Sequence, residues 1–288
     1  MRPVIAVTGA SGGVGGRVAR RLAAAGAAPR LLGRDPERLP VLAGGSLAPP
    51  AAYGDGAAMR AACDGARTLF LVSAREAPDR VHDHRTAVDA AVAAGVERVV
   101  YVSFLSAAPD ATFTFARDHW HTEEYIRASG LRHTFLRDSF YLASLAGMAG
   151  ADGVIRGPAG GGAVSAVAHD DIADAAVGVL LGEGHDGRTY DITGPRALTL
   201  AEAAAELSRF AGREIRYVPE TREEAYASRA GYGAPEWELA GWVTSYEAIA
   251  TGEMSLISDA VPRLAGREGI GFTEYLRENP EAYAHLRG

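Results

Sequence analysis

This 288-residue chain contains no lysine; all 29 of its basic side chains are arginine. A catalytic Tyr-x-x-x-Lys pair therefore cannot exist in this sequence. The one cysteine, Cys63, rules out an internal disulfide and any cysteine-rich metal site, and fits a reducing, cytoplasmic setting. No apolar run reaches membrane-spanning length, so no membrane partner is expected. The chain runs directly into a strand-like segment, without the pattern of a signal peptide. A net charge of −7 gives a nucleic-acid partner no electrostatic support. Hydrophobic content of 48% against 23% charged places the chain among ordinary globular proteins, with length for one domain or two.

What is present begins with Thr8-Gly9-Ala10-Ser11-Gly12-Gly13-Val14-Gly15. An apolar run, Val4 to Val7, precedes it. An amphipathic run to Ala24 follows, with Val14, Val18 and Leu22 at helical spacing. Strand, glycine turn and helix form the context that a dinucleotide fingerprint requires. Gly9 permits the tight turn, Gly12 lets backbone approach a pyrophosphate, and Gly15 lets the helix lie close to the strand. The helix start then presents free N–H groups to phosphate.

Strand-like and helical runs alternate through the first half. Strands are expected at Val4–Thr8, Arg30–Gly33, about Ala51–Tyr53, Thr68–Val72, Arg98–Ser103 and His133–Leu136. Helices are expected at Val14–Ala24, Ala57–Ala62, Asp83–Ala94 and Asp118–Ser129, with Gly95 and Gly130 as caps. Gly147 to Gly162 has loop composition. A short strand at Ala163–Ala168, a helix at Ile172–Leu181, a strand at Arg188–Thr193 and a capping box at Thr199 and Glu202 follow. The pattern predicts an α/β fold: a Rossmann-like doubly wound parallel sheet with a small C-terminal substrate cap. Residues 1–139 and 163–195 form the nucleotide-binding part in this reading; 140–162 and 196–288 form the cap.

Candidate site residues fall at the carboxyl ends of the strands, where ligands bind such sheets. Leu32-Gly33-Arg34-Asp35 has no acid where one would bind an NAD ribose. Gly33 leaves room and Arg34 offers a guanidinium to a 2′-phosphate, which predicts NADPH over NADH; the alternative is a solvated arginine with Asp35 on the ribose. Asp55 is a candidate for the adenine amino group or a turn aspartate. Ser73 and Ser103 end the fourth and fifth strands and should face the cofactor. His82-Asp83-His84 has too few ligands to predict a metal, and none is expected.

The chain resembles the NmrA-like atypical short-chain dehydrogenase family, and within it the type 2 NAD(P)H:quinone oxidoreductases and triphenylmethane reductases. The segments that carry this are Thr8–Gly15, Arg34-Asp35-Pro36, Tyr53-Gly54-Asp55, His84-Arg85, Tyr101-Val102-Ser103 and Asp118 to Glu123. Leu136 to Tyr141, His169-Asp170-Asp171-Ile172-Ala173 and Tyr190 to Gly194 extend it to about residue 220. The resemblance places Phe115 and His119 where typical relatives carry Tyr-x-x-x-Lys. It makes His119 a candidate for the nicotinamide ribose or for general acid catalysis, with Glu123 one turn on to orient it. Tyr141 is a second candidate donor. Arg137 and Asp138 are expected to pair locally, and His121 to be structural.

The cofactor contacts expected are thus Gly9, Ser11, Gly12, Gly13, Val14, Gly15, Arg34, Asp55, Ser73, Ser103 and His119; the catalytic residues are His119 and Tyr141. The function implied is NADPH-dependent hydride transfer to a small planar acceptor such as a quinone, enone or aromatic ketone. Trp237, Trp242, Tyr226, Tyr232 and Tyr246 are candidates to line its pocket. The competing class is a non-catalytic NAD(P)-binding sensor that acts through a protein partner; a third reading is a tailoring ketoreductase or isomerase. A homodimer is compatible with all of them.

Overall fold

The computed structural model describes residues 4–287. The first half runs β1 (Ile5–Val7), α1 (Gly13–Ala24), β2 (Pro29–Leu31), β3 (Ser46–Leu47), α2 (Gly56–Cys63), β4 (Thr68–Val72), α3 (Arg80–Ala93), β5 (Arg98–Phe104), α4 (Thr114–Ala128) and β6 (Arg132–Asp138). The second half continues with α5 (Leu142–Ala146), β7 (Val154–Gly157), β8 (Ala163–Val164), α6 (His169–Leu181), β9 (Arg188–Ile192), β10 (Leu198–Thr199), α7 (Leu200–Ala211), β11 (Arg216–Pro219), α8 (Arg222–Arg229), α9 (Glu236–Ala250), α10 (Ala260–Ala265) and α11 (Phe272–Glu278).

Seven parallel strands pair in the order β3-β2-β1-β4-β5-β6-β9. The order reverses at β1, which has β2 on one side and β4 on the other. That switch opens the ligand crevice at the carboxyl ends. Side chains alternate across the sheet. Val100 and Val102 of β5 bury with Val18, Leu22, Ile172 and Ala176 of α1 and α6. Val99 and Tyr101 bury on the other face with Met59, Val88 and Ile126 of α2, α3 and α4. Both faces are covered, so β5 has the continuous apolar sequence of a central parallel strand.

A third core joins α5, β7, β8, α7, α9 and α11 through Leu145, Ile155, Val164, Leu207, Ile249 and Phe272. From the carboxyl tail, Ala260 and Val261 of α10 pack back against α6. Arg17 and Arg21 of α1 bond Asp170 and Asp174 of α6 at 3.1 and 2.5 Å, and Arg267 reaches Asp171 at 2.7 Å. These pairs hold the start of α6, with His169, beside the start of α1.

Three local expectations are corrected. The third strand is Ser46–Leu47, not Ala51–Tyr53. It is an exposed two-residue edge strand with no apolar signature. Ala51 is apolar because it is buried, while Tyr53 donates to Val72 O at 2.6 Å. The glycine-rich stretch 147–162 holds β7, which pairs in parallel with β11 some sixty residues later. No local pattern announces so distant a partner. The strand expected over Ala163–Ala168 covers Ala163–Val164 alone. The capping box at Thr199 and Glu202 is present, and Gly95 and Gly130 follow their helices with φ of 80° and 81°.

At Gly15 a Cβ would lie 2.5 Å from the carbonyl oxygen of Thr8. That oxygen belongs to backbone fixed by Thr8 N donating to Phe70 O at 3.0 Å, so it cannot yield cheaply. Gly15→Ala is expected to destabilise the chain by about 3 kcal/mol, read as a lower urea midpoint. An unchanged midpoint would mean that α1 can move off the sheet.

Candidate active site

The glycine turn leads from β1 into α1. Gly9 takes φ of +60°, and Gly12 N donates to Gly9 O at 2.8 Å. Gly12 and Gly13 are exposed. No side chain caps α1, and its first turn carries no acid, whereas α7 and α8 both start with capping boxes. Uncapped N–H groups at the positive end of a helix suit a pyrophosphate. The turn therefore fits a dinucleotide. Ser11 is exposed beside it, but the Val14 side chain is buried in the core, so this residue has only backbone to offer.

The adenosine end lies toward β2. Arg34 is exposed and makes no hydrogen bond or ion pair with the described residues. The room expected at Gly33 is taken by Leu39, whose Cδ2 would be 3.0 Å from a Cβ there. Asp35 accepts from Glu37 N at 3.0 Å, the cap of a short 3-10 turn. Asp55 likewise caps α2, accepting from Ala58 N at 3.0 Å. Ser73 sits half-buried just past β4.

His119 is 5% exposed and fully engaged. Its Nε2 lies 2.9 Å from Arg80 Nη2 and its Nδ1 3.0 Å from the Tyr101 hydroxyl. A guanidinium can only donate, so Nε2 accepts and Nδ1 carries the proton. Burial, and then the Arg80 charge, hold the imidazole well below its ordinary pKa. His119 is neutral at physiological pH, which corrects the expectation of a general acid poised there.

Glu123 does not orient His119. It is completely buried, accepting from Ser103 at 2.6 Å, from Arg137 at 2.8 and 2.6 Å, and from Arg127 at 3.1 Å. Two guanidinium groups outcompete a neutral imidazole for a carboxylate. The Ser103 hydroxyl is spent on this network, not presented to the crevice. Arg137 and Asp138 are not a local pair either, because successive strand residues point to opposite faces. His121 has its ring 5.0 Å from that of Trp120, away from the His119 cluster. His84 accepts from Ala74 N at 2.8 Å and meets Thr122 Oγ1 at 2.9 Å. Burial lowers its pKa to about 3.

Asp138 is the residue that spacing did not single out. It is buried, has no cationic partner within salt-bridge distance among the described residues, and accepts from the Tyr141 hydroxyl at 3.0 Å. Burial pushes its pKa up to about 8, so it is a neutral carboxylic acid at pH 7. The same burial, with Asp138 beside it, holds Tyr141 well above the usual phenol range. The Tyr141 ring lies 4.2 Å from that of His169, and a Cβ on Gly13 would meet the His169 ring at 2.9 Å. A linked acid and phenol thus stand one ring away from the glycine turn.

Phe115 turns into the cap: its Cε1 would be 2.9 Å from a Cβ on Gly241, and its ring lies 5.9 Å from Trp237. Phe104, Phe113 and Phe140 pack together at 5.1 to 5.5 Å. Tyr232 is 75% exposed and edge-on to Trp242. A cavity of about 300 Å³ lies between α5, β10 and α11, bounded by Leu142, Val164, Leu198, Ile270, Phe272 and Arg277. None of the five cap aromatics expected to line a pocket borders it.

Residues 9–183 match the NAD(P)H-binding family. The chain is 37% identical over 286 residues to the (4-alkanoyl-5-oxo-2,5-dihydrofuran-3-yl)methyl phosphate reductase of Streptomyces griseus, covering 98% of this chain and 99% of that one. It is 33% identical to the NAD(P)H azoreductase of Xenophilus azovorans, over 97% and 99%. Among solved structures it is similar to an NADPH-dependent quinone oxidoreductase of Escherichia coli complexed with NADPH, with a TM-score of 0.87, 30% identity, and coverage of 95% and 99%. The chain belongs to the NAD(P)H-binding family. Within it, the chain is an oxidoreductase of the atypical short-chain dehydrogenase type.

The raised Asp138 pKa has a consequence for stability. Its folded value, about 8, lies above the ordinary carboxylate value of 3.8. Folding therefore favours the protonated form, and this contribution fades as pH rises through the interval between the two values. The slope is at most about 1.4 kcal/mol per pH unit. Asp138→Asn is expected to flatten the decline in urea midpoint between about pH 5 and 8. Parallel profiles for variant and parent would refute a buried acid here.

Proposed function

We propose that the chain uses NADPH to reduce a small, planar, conjugated acceptor, such as a quinone, an enone or an aromatic ketone, in the cytoplasm. The observation that carries this is the uncapped start of α1 over the glycine turn, with the Tyr141–Asp138 pair one ring away. The names of the relatives support it: a butenolide phosphate ester, an azo compound and a quinone are all electron-poor conjugated acceptors. No observation favours the non-catalytic regulator.

In this reading the N–H groups of Gly13 and Val14 hold the pyrophosphate. Arg34 takes the 2′-phosphate, to which its exposed and unpaired guanidinium is suited. The nicotinamide, when bound, supplies the hydride. The acceptor then needs one proton. The Tyr141 hydroxyl gives it and is replenished by the proton of Asp138, which regains its own from water. A quinone's reduced oxygen is already a weak base, so positioning and a dry site do most of the work.

Three measurements check this. NADPH oxidation is expected with quinones, enones or aromatic ketones; no turnover across the three classes would remove the reductase reading. Arg34→Ala is expected to weaken NADPH binding about ten- to a hundredfold while leaving NADH unchanged, and equal NADPH affinity would clear Arg34 of the role. Tyr141→Phe is expected to lower kcat about a hundredfold with unchanged NADPH affinity. Undiminished turnover would return Tyr141 to packing.

A further inference from the structure

Arg80 opens α3 and is 2% exposed. A guanidinium this deep is costly unless an anion and full hydrogen bonding compensate it. Arg80 has neither. One N–H, on Nη2, goes to His119. Nε and Nη1 are buried with no hydrogen-bond partner, and the nearest carboxylate oxygen, on Asp118, is 3.7 Å from Nη1, beyond hydrogen-bond distance. Orphaned buried donors on a charged group call for a ligand that the protein itself does not provide.

The fold indicates which ligand. A dinucleotide lies across the carboxyl ends of the strands, one mononucleotide half on each side of the switch point at β1. The adenosine half falls on the β2 side, with Arg34. The other half falls on the β4–β6 side. Arg80 stands there, at the start of the helix that follows β4, bonded to His119, and its charge is felt at both Asp138 and Tyr141. On that half, a nicotinamide ribose offers a vicinal diol, a pair of oxygens matched to two adjacent guanidinium N–H groups. His119 has no free nitrogen to offer it.

We infer that Arg80, through its Nε and Nη1, is the residue that binds the nicotinamide ribose hydroxyls, and that His119 holds it in place. An imidazole at position 119 ends short of where a lysine ammonium would reach, and the guanidinium begins 2.9 Å past its Nε2. In a chain without lysine, the cation is delivered from a different helix. This rests on the reading that NADPH binds at the glycine turn.

The test compares two ligands that share the adenosine half. NADP⁺ carries the nicotinamide ribose; adenosine 2′,5′-bisphosphate does not. Calorimetric titration of Arg80→Met is expected to show NADP⁺ binding weakened about tenfold or more, with the bisphosphate bound as by the parent. The unchanged bisphosphate also certifies a folded glycine turn. Arg80→Lys is expected to recover part of the loss, and Arg80→Met combined with His119→Lys to recover most of it. Equal weakening of both ligands would make Arg80 a structural residue, and no weakening of either would remove it from the site; each overturns the inference. Failure of the parent to bind either ligand would instead sink the nucleotide reading itself.

Discussion

The close approach of α1 to β1 at Gly15 governs everything the site does. A side chain there would drive into the backbone of Thr8 and Gly9. With hydrogen in its place, the helix start comes down against the end of β1, and Gly12 and Gly13 lie at the surface. The ion pairs from α1 to α6 then fix His169 against Gly13 and Tyr141 against His169. An uncapped helix start and a tyrosine hydroxyl are set one ring apart by one contact too tight for any other residue.

Burial, more than charge, sets the chemistry around that contact. His84 and His119 are kept neutral and Asp138 is kept protonated by removal from water. Glu123 is deeply buried with guanidinium partners, and it is spent on bracing β5 and β6 against α4 through Ser103 and Arg137. The crevice is left with neutral hydrogen-bonding groups and with Arg80, two of whose buried donors have no hydrogen-bond partner. Such a site favours an acceptor that gains negative charge as it is reduced.

The fold was legible because its signals are local and periodic. Six of the seven sheet strands, all but β3, fall where the sequence pattern placed a strand. What was not legible is of two kinds. Edge pairings such as β3 with β2, and β7 with β11, depend on a partner far off in sequence. Side-chain partnerships depend on which face a residue occupies: Glu123 stands one turn from His119, yet it is taken by Arg137 from the neighbouring strand.

The sequence by itself determined the glycine turn, the parallel sheet and the absence of a lysine pair, because each follows from residue type and near-neighbour spacing. Only the tertiary structure decided which groups carry protons and which hold charge. Asp138 is an acid at neutral pH and His119 is neutral because both are buried, and Arg80 keeps two donors unspent because the nearest carboxylate, on Asp118, lies beyond hydrogen-bond distance. Ionisation is a property of surroundings, and surroundings in this chain are assembled from strands and helices that are distant along it.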